Sequence, residues 1–171
     1  MARFQSPTAV VVELGSWKGR SAGWLASGLR DRGIGKVFAV DTWRGTETEE
    51  LHKQMLADYE HDQLYREFVR NMQRLGVSEY VEPMQMTTLQ AAALWSHGRV
   101  IGILHIDASH EYEDVKADFE AWSRFVVPGG FVVFDDVPGW PGPTRFVKEL
   151  PPEYEYFTTT PNQYWVRRRS G

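Results

Sequence analysis

Apolar residues recur along the chain in two rhythms, short continuous runs and longer segments with helical spacing. The run Thr8–Leu14 is almost continuously apolar, as expected of a strand covered on both faces. Gly15-Ser-Trp-Lys-Gly19 interrupts it. Ala22, Leu25, Ala26 and Leu29 then share one face of a predicted helix that closes at Gly33. Lys36–Asp41 reads as a second strand, and residues 42–50 as a polar loop. From Glu49 to Leu75, helical spacing is kept by Leu51, Met55, Leu64, Phe68, Met72 and Leu75, with a break around Tyr59–Asp62. Tyr80–Gln85 is a third strand, which Pro83 places at an edge or a strand end. Thr87 or Thr88 can cap a helix running through Ala93. Val100–Asp107 is a fourth strand. Glu111–Val126 is a helix burying Val115, Phe119, Trp122 and Phe125. Pro128-Gly-Gly130 turns into a fifth strand, Phe131–Asp135. A short helix near Thr144–Leu150 precedes two β-rich pieces, Tyr154–Thr159 and Gln163–Arg168, which read as a closing hairpin.

Five alternations of strand and helix imply a parallel sheet with helices on both faces, joined by right-handed crossovers. The hairpin adds an antiparallel strand. The predicted fold is therefore α/β, a Rossmann-like three-layer sandwich around a seven-stranded, mostly parallel sheet. No repeat or linker divides the 171 residues, so a single domain over 1–171 is expected. Ligands of such sheets sit at the carboxyl ends of the strands, where strand order reverses.

Composition narrows the partners. A formal net charge of -4 offers no basic field to a nucleic acid, and Arg167–Arg169 reads as a solvated tail. The absence of cysteine excludes disulfides and thiolate metal sites. No apolar run reaches the length of a membrane span, and residues 1–7 lack the apolar stretch of a secretory signal. A cytoplasmic protein without a membrane partner is expected.

The chemistry lies at the strand ends. Four apolar strands finish in carboxylates: Glu13, Asp41, Asp107 and the pair Asp135-Asp136. All four ends belong to one rim, and clustered acids repel unless cations or donors offset them. Gly15 and Gly19 allow close backbone approach before a helix N-terminus, and Asp41 is placed to accept ribose hydroxyls. This is a plan for an adenosine cofactor. Trp17 stands where a dinucleotide fingerprint needs glycine, which argues against a pyrophosphate. S-adenosylmethionine carries no phosphate, and its sulfonium suits an acidic rim that includes Glu13, with Trp17 or Trp43 beside it. Asp107, Asp135 and Asp136 suit a hard cation, Mg²⁺ or Mn²⁺, able to lower an acceptor hydroxyl's pKa. The plainer reading of Asp135-Asp136 is one turn-capping acid and one solvated acid. His110 is read equally as a general base or as a group that orients Asp107 or caps the next helix. His105 reads as a core histidine.

Val11-Val-Glu-Leu-Gly-Ser-Trp-Lys-Gly-Arg-Ser21, Val40-Asp-Thr-Trp-Arg-Gly45, Ile106-Asp-Ala-Ser-His-Glu-Tyr112 and Val127-Pro-Gly-Gly-Phe-Val-Val-Phe-Asp-Asp136 resemble class I methyltransferases. More narrowly they resemble the bacterial metal-dependent group that includes macrolide and aminocoumarin sugar O-methyltransferases and a cephalosporin-biosynthesis protein. The resemblance spans residues 8–150. It implies cofactor contacts at Glu13, Gly15, Ser16, Gly19, Ser21 and Asp41, metal ligation by Asp107, Asp135 and Asp136, and catalysis involving Asp107. That group carries an acid where Ser109 stands here, so His110 becomes the substitute base. The chain is short for the group, which makes residues 42–62 the candidate lid and suggests an open cleft or one completed by a second subunit. The expected activity is metal-assisted O-methylation of a small-molecule hydroxyl (sugar, polyketide-like or phenolic). Metal-independent N- or O-methylation, a non-catalytic cofactor-binding module and, more distantly, a nicotinamide oxidoreductase are the competing readings.

Overall fold

The continuous apolar runs become strands covered on both faces, and the more polar Tyr80–Gln85 run gives a partly buried edge strand. In a computed structural model, which describes residues 9–45, 50–96 and 98–170, they form β1 (Val10–Leu14), β2 (Val37–Asp41), β3 (Val81–Gln85), β4 (Ile101–Ile106) and β5 (Val126–Asp135). β6 (Tyr154–Thr159) and β7 (Gln163–Arg168) make the closing hairpin. Thr8 and residues 46–49, within the expected first strand and lid, lie outside the described residues. The strand order is β3-β2-β1-β4-β5-β7-β6, with β7 antiparallel to both its neighbours and the other pairings parallel. Pro83 falls in edge strand β3, as a residue lacking an N–H should. Order reverses between β1 and β4, so their C-terminal ends flank the crevice.

Helices α1 (Arg20–Arg30) and α3 (Gln63–Arg74) press Ala22, Ala26, Leu64, Phe68 and Met72 onto Val11, Val37 and Ala39 of one sheet face. On the opposite face α4 (Thr88–Leu94), α5 (Tyr112–Trp122) and α6 (Pro141–Phe146) pack Ala91, Phe119, Trp122 and Phe146 onto Val12, Leu104 and Phe134. Each large side chain so buried contributes roughly 1.5–3 kcal/mol. Among the described residues, the apolar cluster of the first face includes none from β5 or β7. Beyond β4 that face opens into a cavity.

Three boundaries differ from expectation. α5 stops at Trp122, and Ser123–Phe125 tighten into a 3₁₀ turn. Val126 then already pairs with Ile101, and the register skips to Phe131 opposite Ile103 across a bulge holding Gly129 at φ +79°. α6 starts at Pro141, whose fixed φ suits a first helical position, and ends at Phe146. α2 (Glu50–Leu56) is separated from α3 by the predicted break, yet Met55 and Leu75 are half exposed and not part of the core. The side chain of Leu51 lies outside the description. No helix among the described residues is long and apolar enough to cross a membrane.

Candidate active site

The loops at the C-terminal rim are shaped by left-handed backbone. Gly15 takes φ +84°, and a Cβ there would stand 2.2 Å from the carbonyl oxygen of Asp107. Only glycine lets the β1 and β4 ends meet this closely. Trp17, Trp43 and Asp136 adopt φ of +46°, +52° and +59°, a conformation costly for L side chains unless neighbours hold it. At Trp17 and Trp43, Asp41 does the holding. Ser16 N and Trp17 N donate to its Oδ2 at 2.9 and 2.8 Å, and Trp43 N donates to Oδ1 at 2.6 Å. Three of its roughly four acceptor directions are thereby taken. Burial pushes the Asp41 carboxyl up, against the pull of those same three N–H groups.

A cavity of about 1130 Å³ follows the rim. That exceeds the roughly 300–1,000 Å³ typical of one small-molecule site. Gly15, Ser16, Ser21 and Asp41 line it toward β2, and Asp107, His110, Asp135 and Asp136 toward β5. Two residues expected at the cofactor do not reach its wall. Glu13 is fully buried behind Ser16, whose Oγ donates to Glu13 Oε2 at 2.6 Å, while Oε1 has no hydrogen-bond partner. Gly19 faces α3, where a Cβ would stand 2.5 Å from Met72 Cε. This glycine serves helix packing.

Toward β5, Asp107, His110 and Asp136 each bring one ligand atom to within 4.8 Å of the others. His110 Nε2 lies 2.6 Å from Asp136 Oδ2, and its ring stacks on Trp140 with centroids 4.1 Å apart. Asp135 is turned aside: its Oδ1 accepts from Asp136 N and from Asn162 Nδ2, both at 3.0 Å. Burial holds Asp107 well above the usual carboxylate range; Asp135 and Asp136 add to this and His105 opposes it. Two carboxylates and an imidazole that crowd together in this way fit a divalent cation, which would offset their charge.

Three functional candidates escaped the sequence reading. His105 lines the cavity between two acids, its Nδ1 3.6 Å from Glu13 and its Nε2 3.7 Å from Asp135. Burial opposes charge on this ring, yet Glu13 and the neighbouring acids outweigh it and hold the imidazole above its ordinary range. Its position two residues before Asp107 put it on the same strand face as that acid. Asp118 lies three residues after Val115, on the buried stripe of α5, and is itself buried. Asn162, in the hairpin loop, donates to both Asp135 and Asp136.

Residues 12–137 match the family described as a methyltransferase domain. The uncharacterized protein y4gI of Sinorhizobium fredii (strain NBRC 101917 / NGR234) is 31% identical over 132 residues, 74% of this chain. The chain spans only 13% of that relative's length. The O-methyltransferase NovP superposes with a TM-score of 0.72 at 18% identity, over 95% of this chain and 72% of NovP. TomG of Streptomyces achromogenes, an O-methyltransferase involved in tomaymycin synthesis and solved in complex with SAM, gives 0.66 at 18% identity over 96% and 74%. At such identities the likeness is one of fold.

Proposed function

This chain belongs to the methyltransferase-domain family, and from that premise we propose that it carries a methyl group from S-adenosylmethionine to a hydroxyl oxygen of a small-molecule acceptor, assisted by a divalent cation. The observation that carries the proposal is the single cavity joining the Gly15–Asp41 loops to the Asp107–His110–Asp136 cluster. Its volume has room for a cofactor and an acceptor side by side, and side-by-side placement is what direct transfer between them requires. The cofactor complex of TomG supports the choice of S-adenosylmethionine.

On this reading Ser16, Ser21 and the open acceptor direction of Asp41 bind the cofactor, and Gly15 brings the backbone against it. Glu13 acts from behind Ser16, adding negative potential near a cationic sulfonium. Asp107, His110 and Asp136 would hold Mg²⁺ or Mn²⁺, with Asp135 and Asn162 fixing Asp136 from the side. When bound, the cation supplies Lewis acidity that lowers the acceptor hydroxyl's pKa. The same reading takes the protein to be cytoplasmic, acting on neither nucleic acid nor membrane, with a homo-oligomer as the form that would close an open cleft.

One observation favours a second reading. His110 Nε2 is paired with Asp136 at 2.6 Å, an acid–imidazole pair that could take the hydroxyl proton without any cation. Methyl transfer from labelled S-adenosylmethionine to a panel of hydroxylated acceptors, with EDTA and with Mn²⁺ or Mg²⁺ restored, separates the two. Loss with EDTA and recovery with metal supports the first; activity indifferent to EDTA but lost in His110→Ala supports the second. A chain that binds S-adenosylhomocysteine yet methylates nothing would instead be a binding module.

A further inference from the structure

Both readings of the site depend on His110, and its ring is held by two contacts of different kinds. Nε2 lies 2.6 Å from Asp136 Oδ2. The indole of Trp140 lies against the imidazole, with centroids 4.1 Å apart and planes only 7° from parallel. The two contacts remove different freedoms. A histidine ring turns about a soft torsion with two broad settings. A stacked neighbour fixes the plane of the ring, and a carboxylate chooses which nitrogen faces it.

One loop delivers both partners. Asp136 takes φ +59° just after β5 ends, and Trp140 N donates to its carbonyl oxygen at 2.8 Å. That turn brings carboxylate and indole to the same side chain. Trp140 is also the N-cap of α6, and Gly142 in its first turn lies against the backbone of His110. A Cβ on that glycine would stand 2.1 Å from the His110 carbonyl oxygen. The His110 backbone is thus seated against α6, and its ring against the residue just before that helix. The indole is 42% exposed, and among the described residues neither apolar cluster includes it. A residue so placed contributes little through burial, so core packing does not account for it.

We propose that Trp140 is a positioning residue. By stacking on His110 it fixes the imidazole with Nε2 toward Asp136, and so presets the ring for a cation or for the acceptor's proton. This rests on the reading that gives His110 a part in the chemistry. A ring left free to turn must be ordered each time it is used, and that entropy is lost from binding.

The test uses the whole chain, first without added metal, in wild type, Trp140→Phe and Trp140→Ala. An imidazole N–H held at a carboxylate exchanges slowly with water and gives a far-downfield proton resonance, assigned by its loss in His110→Gln. Wild type and Trp140→Phe, which keeps a ring to stack, are expected to show it, and Trp140→Ala to lose it. Titration with Mn²⁺ is the second readout. Trp140→Ala should bind the ion about tenfold more weakly, as when other groups that orient a ligating histidine are removed, and Trp140→Phe should recover most of the loss. Tm should stay near that of wild type in both variants, which separates lost positioning from lost fold. A resonance that survives in Trp140→Ala, or that wild type never shows, overturns the assignment whether or not a metal binds. Equal Mn²⁺ affinity in wild type and Trp140→Ala overturns it too. A wild type that shows the resonance yet takes up no Mn²⁺ would overturn the cation reading alone, with Trp140 then positioning the His110–Asp136 base.

Discussion

At Gly15 the backbone of one strand end meets that of another, and a methyl group has nowhere to go. Gly15→Ala would place Cβ 2.2 Å from backbone oxygen at φ +84°, so strain and steric conflict add. The expected cost is about 2–4 kcal/mol of stability in urea unfolding, with S-adenosylhomocysteine affinity falling at least tenfold. Asp118 acts on stability through pH. Burial raises it from 3.8 to about 7. Below pH 4 the acid is protonated both folded and unfolded. Between pH 4 and 7 the unfolded chain releases a proton that the folded chain keeps, so folding stability declines as pH rises through about 7. Asp118→Asn removes this dependence. Measured against that variant by urea unfolding from pH 4 to 8, wild type should lose on the order of 3–4 kcal/mol, levelling off above pH 7.

Elements were legible where one physical signal governed them. The strands stood out because burial on both faces demands continuous apolar runs, and Pro83 marked the edge strand because it has no N–H to donate. Boundaries were less legible where tertiary pairing overrode local pattern: Phe125 keeps helical spacing, yet Val126 is drawn into β5 by Ile101. The α4 start was readable down to two threonines, and the structure makes Thr87 the cap, in a capping box with Gln90. Thr87→Ala should lower stability by about 1 kcal/mol, with the urea m-value unchanged. The strand-end acids that line the cavity were legible from their position after apolar runs. Which of them face the cavity was not. Glu13 and Gly19 look like ligand contacts in sequence, but the first is covered by Ser16 and the second is pressed against Met72. His105 and Asp118 were hidden by the opposite error, since a polar residue within an apolar stripe resembles core until the cavity beside it is seen.

The whole molecule hangs on one sheet. Among the described residues, its two apolar clusters lie on opposite faces of the same strands, so neither can be lost while the other keeps its backing. Thermal unfolding should therefore proceed in one transition, coincident in near-ultraviolet and far-ultraviolet circular dichroism; two separated transitions would mean that the halves fold apart. The cavity spans the point where strand order reverses, with walls drawn from the loop after β1 and from β2 on one side and from β4, β5 and β7 on the other. A ligand held there binds only when the sheet is whole, so its affinity adds to global stability. At 100 times its dissociation constant, S-adenosylhomocysteine should contribute about 2.7 kcal/mol. For a chain of this length that raises Tm by roughly 5–10 °C. A cation bound by Asp107, His110 and Asp136 should raise it further in the same scan, because it offsets repulsion that the folded rim alone imposes. A shift with S-adenosylhomocysteine but none with Mn²⁺ or Mg²⁺ would leave the cofactor in place and move the acceptor's proton to the His110–Asp136 pair.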